Sequence, residues 1–266
     1  MSPASKAAAW PRTVGIVGAG AMGSAMGVGL ARTGRPVAVY DAVAAVARAA
    51  QERDGLATGS LHDVAAADLV CVAVKPADGQ AALQALRPQL SERSVVLSVM
   101  AGWTLDRLTE ALPDTPLART MPNLAVRHAA GLIAVATRAL PDGREAELLD
   151  ALDALGTSVA LPEGAFSVAT ALVGSGPGFV ALIAEALEEG AVSAGLPRAQ
   201  ARQMVPAVLA GTAALLGGGK DPAELRQRVS SPAGTTLAGL TVLERGAVRA
   251  HMADAVRAAA ARAEEL

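Results

Sequence analysis

Six residues near the start of the chain, Gly18-Ala19-Gly20-Ala21-Met22-Gly23, carry the spacing G-x-G-x-x-G. A glycine at the first position permits a tight turn. At the second it lets a pyrophosphate approach the backbone, and at the third it lets a helix pack against a strand with its N-terminal amides facing the anion. The flanks agree: residues 13–17 (TVGIV) suit a short buried strand, and residues 24–32 (SAMGVGLAR) continue as a helix ending near Gly34. The motif is therefore expected to bind a dinucleotide. Asp41 closes the next strand-like run, PVAVYD. An acid there accepts hydrogen bonds from the adenosine ribose hydroxyls and repels a 2′-phosphate. No arginine follows until Arg48, so NADH is expected ahead of NADPH.

A second set of polar groups lies far along the chain, in Ser230-Ser231-Pro232-Ala233-Gly234-Thr235-Thr236. The pattern reads as a loop feeding a helix N-terminus, with hydroxyls beside free backbone amides. Such a terminus holds a carboxylate or phosphate without an arginine. Ser231, Gly234, Thr235 and Thr236 are the expected substrate-binding residues. A third stretch, Val173-Gly174-Ser175-Gly176-Pro177-Gly178-Phe179, allows close backbone approach to a ligand or to another helix, and alone it decides neither. His62, His128 and His251 have no cysteine or acid at metal-ligand spacing, so no metal site is expected. Signatures of a serine-hydrolase elbow, a zinc protease or a phosphate-binding Walker loop are absent from the sequence.

The elements that must hold these groups alternate through the first part of the chain. Strand-like runs appear at 36–41, near 56, at 68–74 (DLVCVAV), 94–99, 117–121, 131–137 and 158–161, separated by helical stretches. That alternation predicts an α/β fold with a doubly wound, largely parallel Rossmann sheet. Ligands in such sheets bind outside the carboxyl ends of the strands. The expected cofactor-binding positions are thus Gly18 to Gly23, Asp41, Val74-Lys75-Pro76, Ala101-Gly102 and Asn123, with Lys75 donating to the ribose or nicotinamide side. After residue 162 the strand pattern gives way to helical stretches. Two domains are expected: 1–162, binding the dinucleotide, and 163–266, all-helical. The helix at 177–194 is apolar on most faces until Glu185, which suits burial in a subunit interface.

Composition sets the outer limits. The chain has 266 residues, 52% hydrophobic and 18% charged, with net charge −2. That is ample material for a core and gives no basic surface for nucleic acid or membrane. Two uncharged stretches, 13–31 and 164–184, have the length of a membrane span, but glycine clusters interrupt both. No signal-peptide pattern precedes Arg12, and a single cysteine, Cys71, sits in an apolar run. A cytoplasmic location is expected.

The chain resembles the Δ1-pyrroline-5-carboxylate reductase family from end to end. The matching segments are VGIVGAGAMG (14–23), VAVKP (72–76), MAG (100–102), MPN (121–123), GSGP (174–177) and, most specific, SSPAGTTLAGLTVLERGAVRAHMADAV (230–256). The resemblance implies a Rossmann domain with a helical dimerisation domain, a homodimer or ring of dimers, and a site shared between subunits. It also implies NAD(P)H-dependent reduction of a cyclic imino acid to proline, the last step of proline biosynthesis. Where the family usually has Ser, Ala-Tyr and SPGGTT, this chain has Val173, Gly178-Phe179 and Ala233; where the family often has Asn/Ser-Arg-Thr, it has Tyr40-Asp41-Ala42. These departures bear on cofactor preference and, less, on which imine is reduced.

A cyclic imine is partly protonated near neutrality, and its carbon then accepts hydride directly. The enzyme's task is alignment. The substrate carboxylate is expected on the amides near Gly234 and Thr235 and on Thr236, with the nitrogen protonated by a hydroxyl such as Thr236 or by water. Two other readings remain. A β-hydroxyacid dehydrogenase of the 3-hydroxyisobutyrate type needs a lysine about one helical turn past its second glycine-rich turn; FVALIAEALEEG supplies none. A non-catalytic NAD(H) sensor would keep the dinucleotide loop but has no use for SSPAGTT.

Overall fold

Eight strands form one sheet in the computed structural model, which describes residues 10–265. They are β1 (Val14–Val17), β2 (Val37–Tyr40), β3 (Ala57–Thr58), β4 (Leu69–Val72), β5 (Val95–Ser98), β6 (Leu117–Pro122), β7 (Gly131–Arg138) and β8 (Gly156–Ala160). Their order is β3-β2-β1-β4-β5-β6-β7-β8. The six from β3 to β6 are mutually parallel, whereas β7 runs antiparallel to β6 and β8 pairs parallel with β7. The reversal has a local cause. Parallel neighbours need a crossover of a dozen or more residues, and the link 123–130 holds only a 3-10 turn, Leu124–His128.

The helices between strands are α1 (Ala21–Ala31), α2 (Ala44–Asp54), α3 (Leu61–Ala65), α4 (Gly79–Leu86), α5 (Leu105–Ala111) and α6 (Arg144–Asp153). Their starts and stops are chemical. Ser60 and Asp63 form a reciprocal capping box on α3, the Thr104 hydroxyl accepts the Arg107 amide at the head of α5, and Gly55 ends α2 in the left-handed conformation.

The central strands β1, β4 and β5 are buried on both faces, so successive residues enter different cores. Ile16, Val39, Cys71 and Leu97 share one cluster with α1, Leu148 and Leu152. Val17, Val70, Val72 and Val96 share the other with Trp103, Leu108 and Phe166. Burial pushes the Cys71 thiol up to about 12, which leaves it an inert small hydrophobe.

The remaining helices are α7 (Phe166–Val173), α8 (Gly176–Ser193), α9 (Arg198–Leu216), α10 (Pro222–Arg228), α11 (Thr235–Arg245) and α12 (Val248–Glu264). Contacts divide the described chain after Gly174: one unit runs to that residue with the stretch from Ala259 onward, the other spans Ser175–Ala258. Helix α7 belongs to the sheet's unit, with Phe166, Ala169 and Val173 in its core. The helical run Glu163–Ser193 is long and apolar enough to cross a membrane by length and composition alone. Its α7 part is instead anchored on the sheet. In the second unit Ala201 alone is buried among the described residues.

Candidate active site

The carboxyl ends of β2, β1, β4, β5 and β6 line up along one edge of the sheet, and the structure brings the expected cofactor-binding residues together there. The three motif glycines divide the steric work. Gly18 has φ +100°, and a Cβ on it would lie 2.6 Å from the Ala73 carbonyl oxygen; a Cβ on Gly23 would lie 1.9 Å from the Gly18 oxygen. Those two are required by the turn and by the approach of α1 to β1. A Cβ on Gly20 meets nothing within 4 Å. Its missing side chain leaves space in front of the α1 amides, the space a pyrophosphate takes. The residues present therefore fit a dinucleotide.

Asp41 is tied into this loop. The Ala19 amide donates to its Oδ2 at 2.9 Å and the Val43 amide to its Oδ1 at 2.9 Å. Lys75 is exposed before the 3-10 turn Pro76–Asp78, with no acid at ion-pair distance among the described residues. The indole nitrogen of Trp103 donates to the Pro76 carbonyl at 3.0 Å, joining the Lys75 loop to the one carrying Ala101 and Gly102. The Asn123 side chain accepts the Ala125 amide at 3.2 Å and closes the turn after β6.

Sequence reasoning missed Trp103, although a tryptophan directly after MAG was a visible signal. It also missed Arg53 and Arg127. Both bind Asp54, at 2.6 and 2.7 Å, and all three line a cavity of about 800 Å3 beside Ala19, Gly20 and Ala21. The hydrogen bonds from Arg53 and then Arg127 hold the Asp54 carboxyl down to about 2. Arg127 lies 73 positions from Asp54 in the chain, so no local pattern announced the pair.

In the second unit, Ser231, Pro232, Ala233 and Gly234 make a turn in which the Gly234 amide donates to the Ser231 carbonyl at 3.0 Å. Ala233, its third residue, takes φ +57°, in the left-handed region that non-glycine residues seldom adopt. Gly234 is the N-cap of α11 and no side chain caps the helix. Ser230 turns its hydroxyl away, donating to the Arg226 carbonyl at 2.7 Å, while Thr235 and Thr236 are exposed. The first amides of α11 and two hydroxyls thus stand together without partners among the described residues, as an anion-binding terminus requires.

The departures at 173 and 178 differ in setting. Val173 is buried in the sheet's core, whereas a Cβ on Gly178 meets nothing within 4 Å. The three histidines are exposed, and no group of three His, Cys, Asp or Glu suited to a metal occurs among the described residues.

Comparison with known proteins bears on both units. A family model described as pyrroline-5-carboxylate reductase dimerisation matches residues 163–266, and one described as NADP oxidoreductase, coenzyme F420-dependent, matches residues 13–102. Pyrroline-5-carboxylate reductase 3 of Rattus norvegicus is 39% identical over 269 residues, covering 96% of each chain. The structure of a pyrroline-5-carboxylate reductase from Coxiella burnetii superposes with a TM-score of 0.88 at 29% identity, over 96% of this chain and 98% of that one. A pyrroline carboxylate reductase from Plasmodium falciparum with NADP bound shares the fold, with a TM-score of 0.83 at 24% identity over 95% and 97% of the two chains. With that identity sustained across both the sheet and the helical region, the chain belongs to the pyrroline-5-carboxylate reductase family.

Proposed function

We propose that this oxidoreductase reduces 1-pyrroline-5-carboxylate to L-proline with a pyridine nucleotide as hydride donor. The observation that carries the reading is the likeness to pyrroline-5-carboxylate reductases over 96% of the chain, rather than over the nucleotide unit alone. When bound, the nicotinamide supplies the hydride. The chain's own residues bind, orient and handle the proton. Gly18 to Gly23 hold the pyrophosphate on the α1 amides, Asp41 receives the adenosine ribose, and Lys75 donates to the ribose or nicotinamide side. The α11 terminus, with Ser231, Gly234, Thr235 and Thr236, holds the substrate carboxylate by charge-assisted hydrogen bonds. The Thr236 hydroxyl or a water delivers the proton to the ring nitrogen. No protein nucleophile is needed, because a protonated imine carbon accepts hydride directly.

Asp41 supports NADH as the preferred donor, since its carboxylate stands where a 2′-phosphate would bring like charge. The chain works as a homodimer or a ring of dimers. Supporting this, α8 exposes Val180, Leu182, Ile183 and Leu187, apolar side chains that this chain does not cover. Light scattering tests it, with a stable monomer at micromolar concentration as the contrary result. The reaction itself is tested by following NADH absorbance. The purified protein should oxidise NADH with pyrroline-5-carboxylate and should not reduce NAD with 3-hydroxyisobutyrate. Turnover of the hydroxyacid alone would overturn the reading.

A further inference from the structure

At the amino-terminal edge of the sheet, opposite the strand ends that carry Gly18 and Asn123, a pocket of about 530 Å3 opens within the first unit. The segments leading into β1, β4 and β5 and the start of α6 wall it. Two arginines in it are already neutralised. Arg12 binds Asp68 through its amide at 2.8 Å, its Nε at 3.2 Å and its Nη2 at 3.4 Å. Arg144 lies over the Trp10 ring at 4.4 Å and reaches the Glu147 carboxylate at 2.7 Å.

Glu92 and Arg93 are different. Both are exposed at the pocket, and neither has an ion-pair partner within 4 Å among the described residues, each other included. The Arg93 charge is felt inside the pocket. Burial works to raise the Asp68 carboxyl, yet the Arg12 hydrogen bonds, with the charges of Arg12 and Arg93, hold it below the ordinary carboxylate value. The pocket therefore presents one unanswered cation, one unanswered anion and an indole. Its volume falls in the range of small-molecule sites.

We propose that this pocket binds a small amino-acid zwitterion with an apolar body. A simple anion satisfies Arg93 and meets repulsion from Glu92, and a simple cation has the reverse problem. A zwitterion answers both and brings no net charge. Its apolar part packs against the portion of the Trp10 ring that Arg144 and the core leave open. The reaction's own product is a zwitterion of this kind, and that identification rests on the proposed imine reduction. The pocket's preference for zwitterions does not.

The chain has two tryptophans, Trp10 and Trp103, so intrinsic fluorescence reports on the pocket. L-Proline is titrated into the full-length protein without nucleotide. A saturable change is expected, absent in Trp10→Phe and shifted about tenfold or more to higher concentration in Arg93→Ala, the effect of one charge-assisted contact. It should survive in Gly20→Ala, which alters the nucleotide loop. Acetate alone and pyrrolidine alone should not saturate it. The proposal is overturned if no saturable change occurs, if the change persists in Trp10→Phe, if Arg93→Ala titrates like the parent, or if acetate alone saturates the site. Failure of the reductase reading looks different: the titration stays intact while pyrroline-5-carboxylate is not turned over.

Discussion

Gly20 separates what the fold needs from what a ligand needs. Gly18 and Gly23 have no room for a Cβ, but Gly20 does, and its φ of −67° suits any residue. Gly20→Ala should therefore leave the thermal midpoint within about 2 °C, as surface substitutions generally do, while nucleotide affinity falls on the order of tenfold or more because the methyl occupies the pyrophosphate's approach. Calorimetry with a parallel binding titration checks both halves. For Asp41, kcat/KM measured with each cofactor at fixed imine should favour NADH. A clear NADPH preference that Arg127→Ala abolishes would instead assign the 2′-phosphate to Arg127. Thr236→Ala should raise KM for the imine by about 1.5–3 kcal/mol, on the order of ten- to a hundredfold, with the Kd for NADH hardly moved. The opposite split would place the substrate elsewhere. These expectations rest on local patterns: glycine spacing, a strand-end acid and hydroxyls before a helix. The Arg53–Asp54–Arg127 cluster was not legible, since folding alone brings Arg127 to α2.

Elements were legible where one period ruled. DLVCVAV reads as a strand buried on both faces, and β4 is fully buried. Direction was missed although its cause was in the sequence: the expected strands at 117–121 and 131–137 leave too short a link for a parallel crossover, and β7 pairs antiparallel with β6. Helical composition begins at 163, yet the contacts of the sheet's unit extend to Gly174. Glu163 is the residue that holds this junction. Its Oε1 accepts the Leu105 amide at 2.6 Å and Arg119 at 2.9 Å, and Arg138 stands 3.9 Å from its Oε2. Arg119, only 12% exposed, also lies over the Phe166 ring of α7. Glu163→Ala leaves that cation without its partner. The cost should be about 2 kcal/mol, below the value for a fully buried pair because Glu163 is partly solvated, or about 4–8 °C in the midpoint. Adding Arg119→Met should recover part of the loss. An unchanged midpoint in the single variant would show that the pair contributes nothing to the junction.

At the scale of the whole molecule, two kinds of surface carry the account. The sheet's carboxyl edge gathers the motif glycines, Asp41 and Lys75 from separate strands, the edge we propose for the dinucleotide. The helical unit buries almost nothing within its own chain, and its family model is that of a dimerisation region. Sequence composition foretold the helices but not how few of their apolar side chains this chain covers, because coverage depends on tertiary placement. Both surfaces serve one claim: hydride passes from the nicotinamide directly to the imine carbon while the protein aligns the two. The most direct test uses NADH deuterated at the transferring position with pyrroline-5-carboxylate, and locates the label in the product by NMR. The account predicts L-proline carrying one deuterium on Cδ, the ring carbon that is bonded to nitrogen and does not bear the carboxylate. Unlabelled proline, or label at any other carbon, would contradict it.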